Sequence, residues 1–167
     1  MMMKKITLLL VLFAVAITVN AQKFGHITAE ALLQVMPEYD SAQTKLADLN
    51  RTYELEIERI QVEINKKIEE FQNTMDSMSE LMKETKASEI QDMQTRLQSF
   101  AQTAQQDLQQ QQMALIQPIM EKARTAIADV AEELGLLYVF DMSQGNPVYA
   151  SEESVDMLPL VQTKLGL

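Results

Sequence analysis

The chain has 167 residues, 14 basic side chains against 24 acidic ones, a formal charge of −10 and no cysteine. That charge excludes bulk electrostatic attraction to nucleic acid or anionic lipid, and the lack of cysteine excludes disulfides, thiolate metal sites and a cysteine nucleophile. Only four glycines occur, at 25, 135, 145 and 166, and none forms the G-x-x-x-x-G-K-[ST] or G-x-G-x-x-G loops that cradle phosphates.

Residues 1–21 read as a cleavable secretory signal. Lys4 and Lys5 make a basic start, residues 6–19 are an uncharged apolar run, and Val19-Asn20-Ala21 offers a small-residue cleavage site. The apolar run is shorter than the roughly 20 residues that span a bilayer, so stable membrane insertion is not expected. The exported chain then begins at Gln22 with 12 basic residues against 24 acidic, a formal charge of −12. Without disulfides it must be held by helix packing, oligomerisation or both.

Residues 23–29 (KFGHITA) read as a strand that feeds a short helical turn before Pro37. Between residues 41 and 134 there is no glycine and a single proline, and good helix formers predominate. Small or apolar side chains recur at Ala42, Leu46, Leu49, Tyr53, Ile57, Ile60, Ile64, Ile68, Phe71, Met75, Met78 and Met82. Their mean spacing, about 3.6 residues, predicts a nearly straight coiled-coil arm. The stripe breaks at residues 83–91, where Ser88 and Gln91 fit a capping box that opens a new helix. A second stripe follows through Ile90, Met93, Leu97, Phe100, Ala104, Leu108, Leu115, Ile119, Ala126, Val130 and Leu134. Two such stripes predict an antiparallel hairpin turning about residues 85 and 86, with arms of roughly 65 Å. One continuous helix is the alternative, which the capping signal disfavours.

Within the returning arm, residues 105–112 hold six glutamines. A turn at 85 and 86 sets residues 101–112 beside 59–70 and leaves that level short of apolar contact and easy to bend. A low-complexity, aggregation-prone tract is the rival reading, and its shortness counts against it. Pro118 lacks the amide that would bond to Ala114, so a hinge is expected there.

Gly135 is placed to close the second arm in a left-handed conformation. Residues 136–141 (LLYVFD) read as a strand, 142–147 (MSQGNP) as a turn and 148–150 (VYA) as the returning strand. Pro159 opens a last helix that runs to Lys164 and stops at Gly166. The fold class is mainly α with a small β body: residues 22–40 and 135–167 form the body, and 41–134 are inserted as the hairpin. Fifty-two residues with about three short strands cannot close a sheet alone. A homo-oligomer whose copies complete one sheet or barrel is therefore expected.

Met75, Met78, Met82 and Met93 gather near the expected tip. Their flexible side chains suit a surface that accepts many unfolded sequences, while their spacing also continues the ordinary seam. His26 has no second metal ligand at motif spacing and is placed on a strand face. Residues 141–146 (DMSQGN) resemble the start of a calcium loop but lack its closing glutamate, so a turn is the better reading. Adjacent acidic pairs such as Glu69 with Glu70 diverge by about 100° on a helix and share no site. No nucleophile, base and orienting group come together, so no catalytic residues, cofactor or metal are expected.

With these elements in place, the chain resembles the Skp/OmpH family of periplasmic chaperones. Residues 116–141 (IQPIMEKARTAIADVAEELGLLYVFD) and 146–166 (NPVYASEESVDMLPLVQTKLG) carry the likeness, joined by Gly25, Ile27, Pro37, Ala42 and Leu46 in residues 24–46. The resemblance implies a trimer with a small β-barrel body and three helical tentacles. It further implies that the tentacles enclose unfolded outer-membrane proteins in a cavity without ATP. A passive exported coiled-coil spacer or envelope scaffold is the alternative. Leu158 stands where the family has a capping Thr, so Asp156 or solvent must serve the amides that open the last helix.

Overall fold

A computed structural model describes residues 23–143, 145 and 147–167. The signal reading of residues 1–21 lies outside them, as do Gln144 and Asn146 of the expected turn. The described chain runs β1 (Phe24–Ile27), α1 (Ala29–Gln34), α2 (Pro37–Thr74), a 3-10 turn (Met75–Ser77), α3 (Glu80–Glu133), β2 (Tyr138–Asp141), β3 (Val155–Asp156) and α4 (Leu158–Leu165). It is mostly helical with a small three-stranded sheet. Two compact units emerge, one containing residues 23–32 and 124–167, the other residues 33–123.

In the second unit, α2 opens with Pro37 in its first turn, where a missing amide costs nothing, and Glu38 and Asp40 follow at the positive end of the helix dipole. The expected stripe faces inward: Ala42 and Ile64 are buried and the residues between them on the stripe are half-buried. The turn, however, falls at residues 75–79, not at 85 and 86. Ser88 lies inside the unbroken α3 and starts no helix. The N-terminal cap is Ser79, whose Oγ accepts the amide of Met82 at 3.3 Å. The chain reverses there because Met78 adopts an extended conformation (φ −89°, ψ 146°) after the 3-10 turn.

In the first unit, β1 is the central strand of a wholly parallel sheet with order β2-β1-β3. Phe24, Gly25, His26 and Ile27 pair with Tyr138, Val139, Phe140 and Asp141, and Gly25 and His26 pair with Val155 and Asp156. The expected hairpin of 136–141 with 148–150 is therefore absent. Residues 148–150 form no strand, and Val148 and Tyr149 are 97% and 78% exposed. The reason is that β1 takes the inner edge of β2, and the chain after β2 crosses to the far side of β1 before pairing again at Val155.

The alternation of the strands sets two faces. Gly25 and Ile27 are buried on one, with Leu32, Ala126, Val130, Met157 and Val161 as the core of this unit. A Cβ on Gly25 would lie 2.7 Å from Cδ1 of Leu136 and 3.1 Å from Cγ of Met157, so glycine permits the close approach. The helix ends follow the local signals. Gly135 (φ 64°) bonds its amide to the carbonyl of Glu132, and the amide of Leu136 reaches that of Ala131. Gly166 closes α4 in the same left-handed way. At the start of α4, Asp156 Oδ1 accepts the amide of Leu158 at 3.0 Å, as required by the loss of a capping side chain at 158.

Candidate functional site

The hairpin seam is built from both arms. Ile64 from α2 and Ala104, Ile119 and Ala123 from α3 are buried, and Phe100 sets its ring edge-on to Tyr53 at 6.0 Å and 84°. The Tyr53 hydroxyl donates to Asp107 Oδ2 at 2.6 Å. This hydrogen bond, helped by burial and by the charge of Asp107, raises the phenol pKa above its ordinary value. Further from the turn, Lys122 of α3 donates to Glu38 of α2 and holds that carboxyl below its ordinary value, aided by a backbone hydrogen bond. These pairings fix the register. They set the glutamine stretch beside Tyr53, not beside residues 59–70, because the turn comes earlier than the sequence suggested. Ala104 is buried and Leu108 half-buried there, while Gln105, Gln106 and Gln109 to Gln112 are exposed.

Two hollows open onto the seam. The larger, about 700 Å³, has Ile60, Met93 and Phe100 as its apolar lining. The smaller, about 300 Å³, is lined by Phe71, Met78 and Ile90, and Lys67 belongs to both. Arg59 sits on the rim of the first and grips Glu56 through Nε at 2.9 Å and Nη2 at 2.6 Å. That double hydrogen bond lowers the Glu56 pKa and raises that of Arg59.

The four tip methionines are distributed along this surface. Met75 and Met82 flank the turn and are 39% and 52% exposed. Met78 is half-buried in the smaller hollow and Met93 in the larger. Pro118 is exposed inside α3, whose helical assignment continues through it.

The sheet unit presents a different surface. On the side opposite Gly25 and Ile27, the rings of Phe24, Tyr138 and Phe140 lie 6.3 to 6.4 Å apart and are 37%, 65% and 43% exposed. His26 shares this side and its Nδ1 lies 2.9 Å from Ser154 Oγ. Asp141 sits at the end of β2, and its Oδ1 accepts the amides of Ala29 (3.1 Å) and Ser143 (2.9 Å) and the Ser143 hydroxyl (2.6 Å). Ser143 Oγ in turn accepts the amide of Glu30. Burial raises the Asp141 pKa, and the hydrogen bonds from Ser143 and Ala29 together outweigh it and leave the carboxyl below its ordinary value. The residues 141–143 are thus a cap for α1, supplied from 112 positions away. The aromatic side was readable as the alternation Phe24, Gly25, His26, Ile27; the cap left no local signal.

A long two-helix arm with apolar hollows and a small sheet with one aromatic side suit binding and assembly more than bond-making chemistry. A family model described as outer membrane protein (OmpH-like) matches residues 23–165, nearly the whole described chain. The chain belongs to the OmpH-like family. A search of curated proteins finds no match. Membership in the OmpH-like family suggests a periplasmic chaperone of the Skp/OmpH type, and the family is one of chaperones, not enzymes. Among the described residues of this OmpH-like chain, no helix is long and apolar enough to cross a membrane, and no three His, Asp or Glu side chains are grouped to hold a metal.

Proposed function

We propose that the chain is an ATP-independent periplasmic holdase that takes unfolded outer-membrane β-barrel proteins into a cavity between helical tentacles and prevents their aggregation. The observation that carries this reading is the hairpin of an OmpH-like chain, whose seam residues are reachable from solvent through two hollows. Residues 1–21 direct export, residues 22–40 and 135–167 form the assembly body, and 41–134 form the tentacle. The working unit is a homotrimer whose strands close a small β-barrel. The exposed rings of Phe24, Tyr138 and Phe140, and the outer edges of β2 and β3, which pair with no further strand among the described residues, support such assembly, because both are surfaces that proteins normally cover. Met75, Met78, Met82 and Met93 belong to the client surface, and Pro118 is the hinge of the tentacle. Many weak contacts within one enclosure supply the affinity.

The test is to dilute a denatured outer-membrane β-barrel protein into buffer with the purified protein, without ATP, and to follow light scattering and the mass of the complex. Suppressed scattering and a complex of three copies with one client are expected. Unchanged aggregation at molar excess, together with binding to a single folded envelope partner, would show a passive spacer instead.

A further inference from the structure

We propose that His26 makes assembly of the chain pH-sensitive: a neutral imidazole lets another copy cover the aromatic side of the sheet, and a protonated one opposes that cover as the solution turns mildly acidic. The proposal rests on the proposed assembly through this side and names what regulates it. His26 is the chain's only histidine. It stands on the aromatic side, half-buried on the central strand and paired in register with Phe140 of β2. It opens on a hollow of about 370 Å³ walled by Phe24, Phe140, Pro147, Tyr149 and Ala150. Among the described residues, no carboxylate, ammonium or guanidinium lines that hollow. Ser154 Oγ, 2.9 Å from Nδ1, can either donate or accept, so it holds the ring in both protonation states and blocks neither.

The charged groups of the neighbouring elements do little to stabilise an imidazolium here. On β3, Asp156 pairs with His26 in register, but it is exposed, its Oδ1 already accepts the amide of Leu158 at 3.0 Å, and water screens its pull. On β2, Asp141 is spent on the cap of α1. Lys23 before β1, and Glu152 and Glu153 in the segment that leads to β3, are exposed and lie outside the lining of the hollow. Covering this side takes water from an imidazole set among rings and hydroxyls, which penalises the charged form far more than the neutral one. Covered copies therefore bind the proton more weakly than free ones, and association is strongest above the range in which the imidazole titrates and is lost as pH falls through it. Between about pH 7.5 and 5.5 carboxylates, phenols and amino side chains ordinarily keep their charge states, and imidazole does not. A cavity between tentacles exists only in the assembly, so acidification opens it and frees a client without ATP.

The experiment is sedimentation velocity of the purified protein over a concentration series at about pH 7.5 and about pH 5.5. The concentration at which half of the chains are assembled is expected to rise by about tenfold on acidification, the low end of what covering an uncompensated charge costs. His26→Gln, neutral at both pH values, should change by less than about twofold, and His26→Lys, charged at both, should assemble poorly even at the higher pH. The amino terminus also titrates near this range but is common to the unaltered protein and both variants. Circular dichroism checks the fold. If the substitutions disturb it, the Cε1 proton resonance of the single imidazole reads the same linkage in the unaltered protein, its titration midpoint falling as concentration is raised into the assembled range. Equal loss of association in His26→Gln, or an imidazole midpoint that ignores concentration, overturns the switch. If the unaltered protein assembles alike at both pH values, the switch alone fails; if it stays monomeric at the higher pH, the assembly reading fails and the switch with it.

Discussion

Gly25 shows how a single missing side chain shapes the sheet. Its ideal Cβ position is 2.7 Å from Cδ1 of Leu136 and 3.1 Å from Cγ of Met157. Leu136 can rotate away, but Met157 is fully buried and has little room to move. Gly25→Ala is expected to lower stability by about 1–3 kcal/mol, the usual cost of overfilling a packed site, as read from urea melts. Asp141 acts at a distance, and Asp141→Ala should cost about 1 kcal/mol by uncapping α1. Because the folded carboxyl is held below its ordinary value of 3.8, this contribution is complete above that pH and disappears as pH falls through the lower folded value. Denaturant melts of the two proteins should differ at pH 7 and converge in strong acid. Gly135, Gly166 and Asp156 were legible in the sequence because each serves residues next to it. Asp141 was not, since the amide it caps is 112 residues away and no local pattern records that pairing.

At the scale of elements, the two apolar stripes were legible because a 3.6-residue period survives over many turns. The reversal between them was not. Residues 75–80 contain neither glycine nor proline, and Ser79 lacks the glutamate or glutamine three places on that completes a capping box. Ser88 and Gln91 supplied that pattern inside a helix that needed no cap. A displaced turn then shifted the whole register, which is why the partner of the glutamine stretch was misplaced. The strand pairing failed for a related reason: β2 followed by a turn suggests a local return, but the partners of β1 come from 114 and 130 residues away. Pro118 remains a test of the glutamine-rich level. Pro118→Ala restores an amide to α3, and slower amide exchange across residues 110–118 is expected in the variant. Equal exchange in both proteins would remove the proline from the proposed hinge.

For the molecule as a whole, the aromatic side of the sheet is where assembly should be most vulnerable. Phe140→Glu places a charge among Phe24 and Tyr138, and sedimentation should show the proposed trimer shifted toward monomer at micromolar concentration. Far-ultraviolet circular dichroism should change little, because the helices lie outside the sheet. Persistence of the trimer would exclude this side as the shared interface. The acidity of the chain, already visible in its composition, fits a carrier that stays soluble while its hollows stand open.

A parallel sheet with its first strand in the middle also imposes an order of events. Loop-closure entropy favours the turn at residues 75–79 and the nearby meeting of Phe71 and Ile90, whose separation along the chain is short. β1 is made first yet has nothing to pair with until Tyr138–Asp141 arrives, and its other edge waits for Val155–Asp156. The arm can thus zip up while the sheet is still incomplete, and the sheet gains its third strand only when Val155–Asp156 has been delivered.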